Sequence, residues 1–354
     1  MASAAPSHGG NRVWAAALAR CRDADLLDFS ASISPFGPPT GVIEAIQDAL
    51  PRLPHYPDPQ YRALRQALGT ALGLAPDWLL PGNGSAELLT LVARTLGDCS
   101  EVVLVTPAFG DYFRALRGAA VPIQTLDWDV WGPFPWEKLR DLGDRRRGLI
   151  LNNPHNPTGA LLPQREILPL LERFAWVVAD EAFMDFLPPP KQESLLPELP
   201  NFPNLIVLRS LTKFHALAGL RLGFAGAAPQ VLTQWQNWRD PWPVGVLAEA
   251  AALAALQDQD FAQKIWRWLP PARAELERGL NALPGLTPFP GAVNFLLVAS
   301  AVPVPPLQEA LLKNNRILIR DCLSFPELGD RFFRAAVRTP AENQRLLAAL
   351  GERL

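Results

Sequence analysis

Short apolar runs without polar alternation recur through the middle of the chain: Val102-Val103-Leu104-Val105, Leu149-Ile150-Leu151, Val177-Val178-Ala179 and Leu205-Ile206-Val207-Leu208, with residues 221–226 as a fifth candidate. A strand that is apolar on both faces is covered on both faces, as in the mostly parallel sheet of an α/β domain. Helical periodicity falls between such runs, as at residues 61–72, ending near Gly73, and at residues 85–96. The chain before Pro59 reads as irregular apart from one short helix at residues 39–50, and residues 79–85 read as a turn. Residues 231–283 are mostly helical and include a long bridging helix. Strands at 293–298 and 333–337, a helix at 305–314 and a closing helix from Ala341 then make a small α+β unit. The expected organisation is an N-terminal arm over 1–45, a large domain over 46–240, and a bridging helix with a small domain over 241–354.

Composition narrows the class. A chain of 354 residues, 49% apolar, supports a large core and two unequal domains. Its 33 basic and 35 acidic residues nearly cancel, which argues against a nucleic-acid or membrane-surface partner. Cys21, Cys99 and Cys322 form no Cys-x-x-Cys pair, as expected of reduced thiols in a cytoplasmic protein. Residues 1–11 lack a charged region followed by an apolar stretch, so no signal peptide is expected. The apolar residues 244–256 are few and contain Glu249, which predicts a buried helix and not a membrane span.

In sheets of this kind ligands bind outside the C-terminal ends of the strands, and the chain's polar clusters fall there. Lys213 follows the Leu205 run in Ser210-Leu211-Thr212-Lys213, Asp180 follows the Val177 run, and Asn156 lies in the proline-rich turn after Leu151. A pyridoxal phosphate enzyme needs a lysine for the cofactor aldehyde, a carboxylate for the pyridine nitrogen and a donor for the phenolic oxygen. Lys213, Asp180 and Asn156 supply these in turn. Asp180 is preferred to Glu181 because strand side chains alternate. The cofactor phosphate is expected at Gly84, Ser85 and Ala86, which open a helix, with the hydroxyls of Ser210 and Thr212 and the charged fork of Arg221. Phe109 is the candidate ring platform. Each has a plainer reading: a solvated lysine, a helix-capping aspartate, a stiff turn, a core phenylalanine. Arg320, Arg334 and Arg338 lie among apolar residues near the last strands. A buried guanidinium needs an anion, either a substrate carboxylate or a structural Asp or Glu.

The motifs Asn153-Pro154-His155-Asn156-Pro157-Thr158-Gly159, Asp180-Glu181-Ala182-Phe183 and Ser210-Leu211-Thr212-Lys213, with Arg221 following, resemble those of fold-type I pyridoxal phosphate enzymes of the aspartate aminotransferase superfamily. The nearer subgroup joins histidinol-phosphate aminotransferases and the threonine-phosphate decarboxylases of cobalamin synthesis. His8-Gly9-Gly10-Asn11, the stretch from Leu27 to Gly37, Ile319-Arg320-Asp321-Cys322 and Phe333-Arg334-Ala335 look more like the decarboxylases. The resemblance implies decarboxylation of L-threonine O-3-phosphate to (R)-1-amino-2-propanol O-2-phosphate, with histidinol-phosphate transamination as the alternative. It implies that His8 and Arg320 hold the substrate phosphate and Arg334 its carboxylate. It further implies that Tyr56 reaches the cofactor phosphate of a second subunit in a homodimer. Ser34 stands where the subgroup commonly has Asn in its substrate lid, and Phe183 where the aminotransferases usually have a donating Tyr. Phe183 cannot donate, which leaves Asn156 as the phenolate donor. A non-catalytic binding module is disfavoured because Lys213 and Asp180 are both present.

Overall fold

The computed structural model describes residues 8–354. The first seven, part of the stretch read for a leader, lie outside the described residues. The chain opens with α1 (Arg12–Ala19), β1 (Leu27–Asp28), α2 (Thr40–Ala49) and α3 (Arg62–Leu72). The large sheet follows in β2 (Leu79–Gly82), β3 (Glu101–Thr106), β4 (Ile123–Asp127), β5 (Arg147–Asn152), β6 (Trp176–Asp180), β7 (Leu205–Ser210) and β8 (Gly223–Ala227). Between them run α4 (Gly84–Thr95), α5 (Gly110–Gly118), α6 (Trp136–Asp141) and α7 (Gln164–Leu171). The strand order is β2-β8-β7-β6-β5-β3-β4. β8 alone runs against the rest, pairing antiparallel with both β7 and β2. The sheet is therefore mixed but mostly parallel, and its inner strands are apolar on both faces because helices cover both.

After β8 come α8 (Pro229–Trp238), α9 (Val246–Gln257) and α10 (Gln259–Asn281), the long helix expected from the pattern. Asp258 caps α10 by accepting the Phe261 amide at 2.8 Å. Phe261, Ile265, Leu269, Ala272, Leu276 and Leu280 form its buried stripe at helical spacing. α9 packs its alanines against α2 and α3 on the large-sheet side, although it lies beyond residue 240. The second unit consists of β9 (Leu286–Pro288), β10 (Phe295–Ser300), α11 (Val304–Asn315), β11 (Ile317–Leu318), β12 (Arg320–Asp321), β13 (Phe332–Ala336) and α12 (Pro340–Gly351). Four of its strands form an antiparallel sheet in the order β12-β13-β10-β9. The N-terminal arm joins this unit: β1 pairs in parallel with β11, Leu27 opposite Ile317. No helix among the described residues is long and apolar enough to cross a membrane.

Three local readings are corrected. Residues 79–82 are an edge strand, not a turn; Pro81 is tolerated because an edge strand needs ladder partners on one side only. β4 was not foreseen because it is a half-exposed edge strand with Gln124 and Thr125 in its centre. α1 replaces an expected irregular stretch. The Asn11 side chain caps it by accepting the Trp14 amide at 3.0 Å, and Ala15 and Ala16 pack with Leu312 and Leu318.

Behind the end of β6, Arg209 and Glu181 form an ion pair with side chains 2% and 0% exposed, Nε to Oε2 being 2.9 Å. Ser194 Oγ and the Leu195 amide also donate to Glu181. Arg209 also pairs with Asp185, so losing Glu181 leaves the guanidinium that half-buried partner, whereas losing Arg209 leaves Glu181 buried without a charge partner. Arg209→Met is expected to lower stability by about 3–5 kcal/mol. Thermal and denaturant melts of that variant, with the double variant Glu181→Leu/Arg209→Met recovering most of the loss, test this.

Candidate active site

The reversal of β8 assembles the site. β5, β6 and β7 end together, with Asn152 opposite Asp180. Because β8 runs backwards, its first residue Gly223 pairs with Ser210, the last of β7, and with Gly82, the last of β2. Arg221 and the start of α4 thus reach the edge where Asp180 and Lys213 stand. A Cβ on Gly223 would lie 2.7 Å from the Arg209 carbonyl oxygen and 3.2 Å from the Ser85 nitrogen, so glycine is what lets α4 approach. Gly84 has φ +70°, and a Cβ there would meet the Arg221 guanidinium at 2.7 Å. Arg221 itself sits at φ 54°, a costly conformation for a non-glycine residue, which turns its guanidinium toward the helix start.

Lys213, Asp180, Asn156, Arg221, Ser85 and Phe109 line one cavity of about 320 Å³. Lys213 Nζ donates to Thr212 Oγ1 at 2.9 Å, and that hydroxyl is 2.6 Å from Ser210 Oγ. Burial lowers the Lys213 pKa to about 8; Asp180 opposes the shift, whereas Arg221 and Arg334 add to it. Burial pushes the Asp180 carboxyl up. Hydrogen bonds from Tyr112 and the Ala182 amide, and the charge of Lys213, hold it back. Glu181 turns to the opposite side of the strand, toward Arg209, as alternation predicts. Asn152 accepts the Asn156 amide at 2.6 Å and donates to the Asp180 carbonyl at 2.7 Å, tying the proline-rich turn to β6.

Arg334, on β13, crosses from the second unit. Its Nη1 donates to Asn156 Oδ1 and its Nη2 to the Ser30 carbonyl at 3.4 Å. An arginine only donates, so the Asn156 oxygen must face it and the amide NH₂ is left for another acceptor. Arg334 is 9% exposed, lies 4.7 Å over the Phe295 ring, and its Nε has no acceptor. Among the described residues no carboxylate pairs with it, which removes a structural Asp or Glu as its anion. Burial lowers its pKa to about 10. Arg338, by contrast, is paired with Glu342 at 2.8 Å and is structural.

A second cavity of about 360 Å³ shares Gly9, Phe109, Asn156 and Arg334 with the first and adds His8 and Arg320. Arg320 donates to Ser324 Oγ at 2.6 Å. His8 Nε2 stands 3.8 Å from Asp111. Two expected residues lie elsewhere. Ser34 does not line either cavity: its amide donates to the Lys213 carbonyl at 3.0 Å, so it braces the lysine's backbone. Tyr56 is 77% exposed and stacks on Trp242, centroids 4.2 Å apart, outside this chain's own cavity. Ala86 lies one residue deeper in α4 than the cavity wall at Ser85. Phe183 lines the cavity, its ring 5.8 Å from Lys213 Nζ.

Class I and II aminotransferases match residues 24–350. The chain belongs to that family. This places it within the fold-type I pyridoxal phosphate superfamily, as its motifs implied. It is 39% identical over 97% of its length, and 95% of the relative's, to a threonine-phosphate decarboxylase of Salmonella typhimurium. It is 31% identical, over 92% and 89%, to a histidinol-phosphate aminotransferase of Mannheimia succiniciproducens. Among solved structures, the histidinol-phosphate aminotransferase of Clostridium acetobutylicum superposes with a TM-score of 0.86 at 27% identity, covering 92% of this chain and 98% of that one. That of Sinorhizobium meliloti, solved with pyridoxal-5'-phosphate, gives 0.84 at 24%, covering 97% and 94%, and shows the shared fold.

Sequence reasoning missed Tyr112, Asn152 and Ser30. Tyr112 lies three residues beyond Phe109, the residue that precedes α5, but its contact with Asp180, like those of the other two, needed tertiary structure. The lowered pKa of Lys213 has a direct consequence. On the order of a tenth of it is neutral at pH 7, and the neutral fraction rises as pH passes about 8. Covalent capture of pyridoxal phosphate by the apo-protein, trapped with borohydride and read by mass spectrometry, is expected to follow that rise and to vanish in Lys213→Ala.

Proposed function

We propose that the chain is a pyridoxal phosphate enzyme that decarboxylates L-threonine O-3-phosphate, releasing (R)-1-amino-2-propanol O-2-phosphate and CO₂. The observation that carries this reading is Arg334, a buried cation without a carboxylate partner, standing where two cavities meet. One cavity fits the cofactor. The α4 start with Ser85, the hydroxyls of Ser210 and Thr212, and Arg221 form a cradle for a phosphate. Gly84 leaves that cradle open where a Cβ would fill it. Asp180 would keep a proton on the ring nitrogen, the Asn156 amide would donate to the phenolic oxygen, and Phe109 would cover a ring face.

Bound there, the cofactor supplies an electron sink for the pair released at the substrate's Cα. The protein's residues decide which bond supplies that pair. Arg334 grips the substrate carboxylate and so fixes how Cα is presented. His8 and Arg320, across the second cavity, receive the phosphate. Lys213, its pKa lowered to about 8 and so still mostly protonated near pH 7, gives a proton to Cα.

The identity of 39% to a decarboxylase against 31% and 33% to two aminotransferases supports this reading over histidinol-phosphate transamination. So does Phe183, which removes a hydroxyl donor beside Lys213. A homodimer belongs to the same reading. In this reading the exposed Tyr56, which lines a surface pocket with Leu53, reaches a second copy's phosphate cradle. A cytoplasmic setting accords with the three free thiols.

Two assays separate the reactions. With pyridoxal phosphate and threonine phosphate, CO₂ release is expected; with histidinol phosphate and 2-oxoglutarate, glutamate is not. Glutamate without CO₂ would replace this proposal by the aminotransferase. Arg334→Lys is expected to lower kcat/KM for threonine phosphate about 10- to 100-fold, since it loses the bidentate fork. Sedimentation is expected to show a dimer.

A further inference from the structure

We propose that Tyr112 is a positioning residue that holds Asp180 ionised and aimed at the cofactor's ring nitrogen. The inference rests on the pyridoxal phosphate reading above, though not on which bond at Cα is broken. The Tyr112 hydroxyl donates to Asp180 Oδ2 at 2.7 Å, and the Ala182 amide donates to Oδ1 at 3.1 Å. Each carboxylate oxygen thus has its own donor, so the group cannot turn without losing both. The arrangement is buried, with Asp180 4% and Tyr112 2% exposed.

Burial works against the ionised carboxylate. Without the phenol, Asp180 would keep one backbone hydrogen bond and the more distant charge of Lys213. A neutral acid cannot hold a proton on a ring nitrogen, so the donor matters beyond packing. Tyr112 is suited to the task because burial and the adjacent Asp180 drive its own pKa well above 10, leaving it a donor at any working pH. Its ring is fixed by an edge contact with Phe109, centroids 5.6 Å apart. The start of α5 therefore supplies both the ring platform and the support for the acid beneath it.

The test is titration of cofactor-free protein with pyridoxal phosphate, read by absorbance, for the wild type, Tyr112→Phe, Tyr112→His and Asp180→Asn. Tyr112→Phe is expected to weaken cofactor binding about 10- to 100-fold and to shift the long-wavelength band of the bound cofactor toward that of Asp180→Asn. Tyr112→His, which keeps a donor, is expected to restore part of both. The double variant Tyr112→Phe/Asp180→Asn should bind no more weakly than Asp180→Asn alone. Thermal melts check that each variant folds. A Tyr112→Phe protein with wild-type affinity and spectrum would overturn the inference while leaving the cofactor reading intact. A wild type that takes up no pyridoxal phosphate would remove the cofactor reading itself.

Discussion

The structure around the site depends on keeping one carboxylate charged where water is nearly excluded. Asp180 ends a strand that is apolar on both faces, so burial opposes its ionisation. The surroundings answer with two hydrogen-bond donors and the charge of Lys213. Lys213 is itself desolvated, and its lowered pKa follows from the same shortage of water, with Arg221 and Arg334 adding to it. The acid and the lysine are therefore tuned together, and neither can be understood from its own neighbours in sequence.

Strand alternation divides the two carboxylates of β6 and its exit between chemistry and structure. Asp180 faces the cavity, whereas Glu181, one residue on, is locked to Arg209 behind it. That buried pair stiffens the strand ends from which Asp180 and Ser210 project. The antiparallel course of β8 completes the arrangement by returning Arg221 and the α4 start to the same edge. A sheet with β8 parallel would carry Arg221 to the far end.

The substrate side has a different logic. Arg334 comes from the second unit, about 120 residues beyond Lys213 in the chain, and reaches Asn156 of the large sheet. Asn156 is thereby oriented by the cation that would bind substrate, while its amide NH₂ remains for the cofactor. The N-terminal arm enters through Ser30, whose carbonyl accepts from Arg334 and whose hydroxyl accepts the Gly10 amide at 2.8 Å. Three distant segments thus meet on one guanidinium.

Much of this was legible from the chain alone. Unalternating apolar runs fix the strand positions of a two-sided sheet, because both faces must be buried. Polar residues directly after such runs fall at its ligand-binding edge, as Lys213, Asp180 and Asn156 do. What remained hidden were contacts between elements far apart in sequence: Tyr112 under Asp180, Arg334 on Asn156, and Ser34 against the Lys213 backbone where a substrate contact was expected. The half-exposed β4 and the edge strand β2 also escaped, since an edge needs no continuous apolar run. Local pattern determines which faces are buried; which partners meet across the buried space is decided only when the chain closes on itself. For a desolvated charge, that partner sets its ionisation.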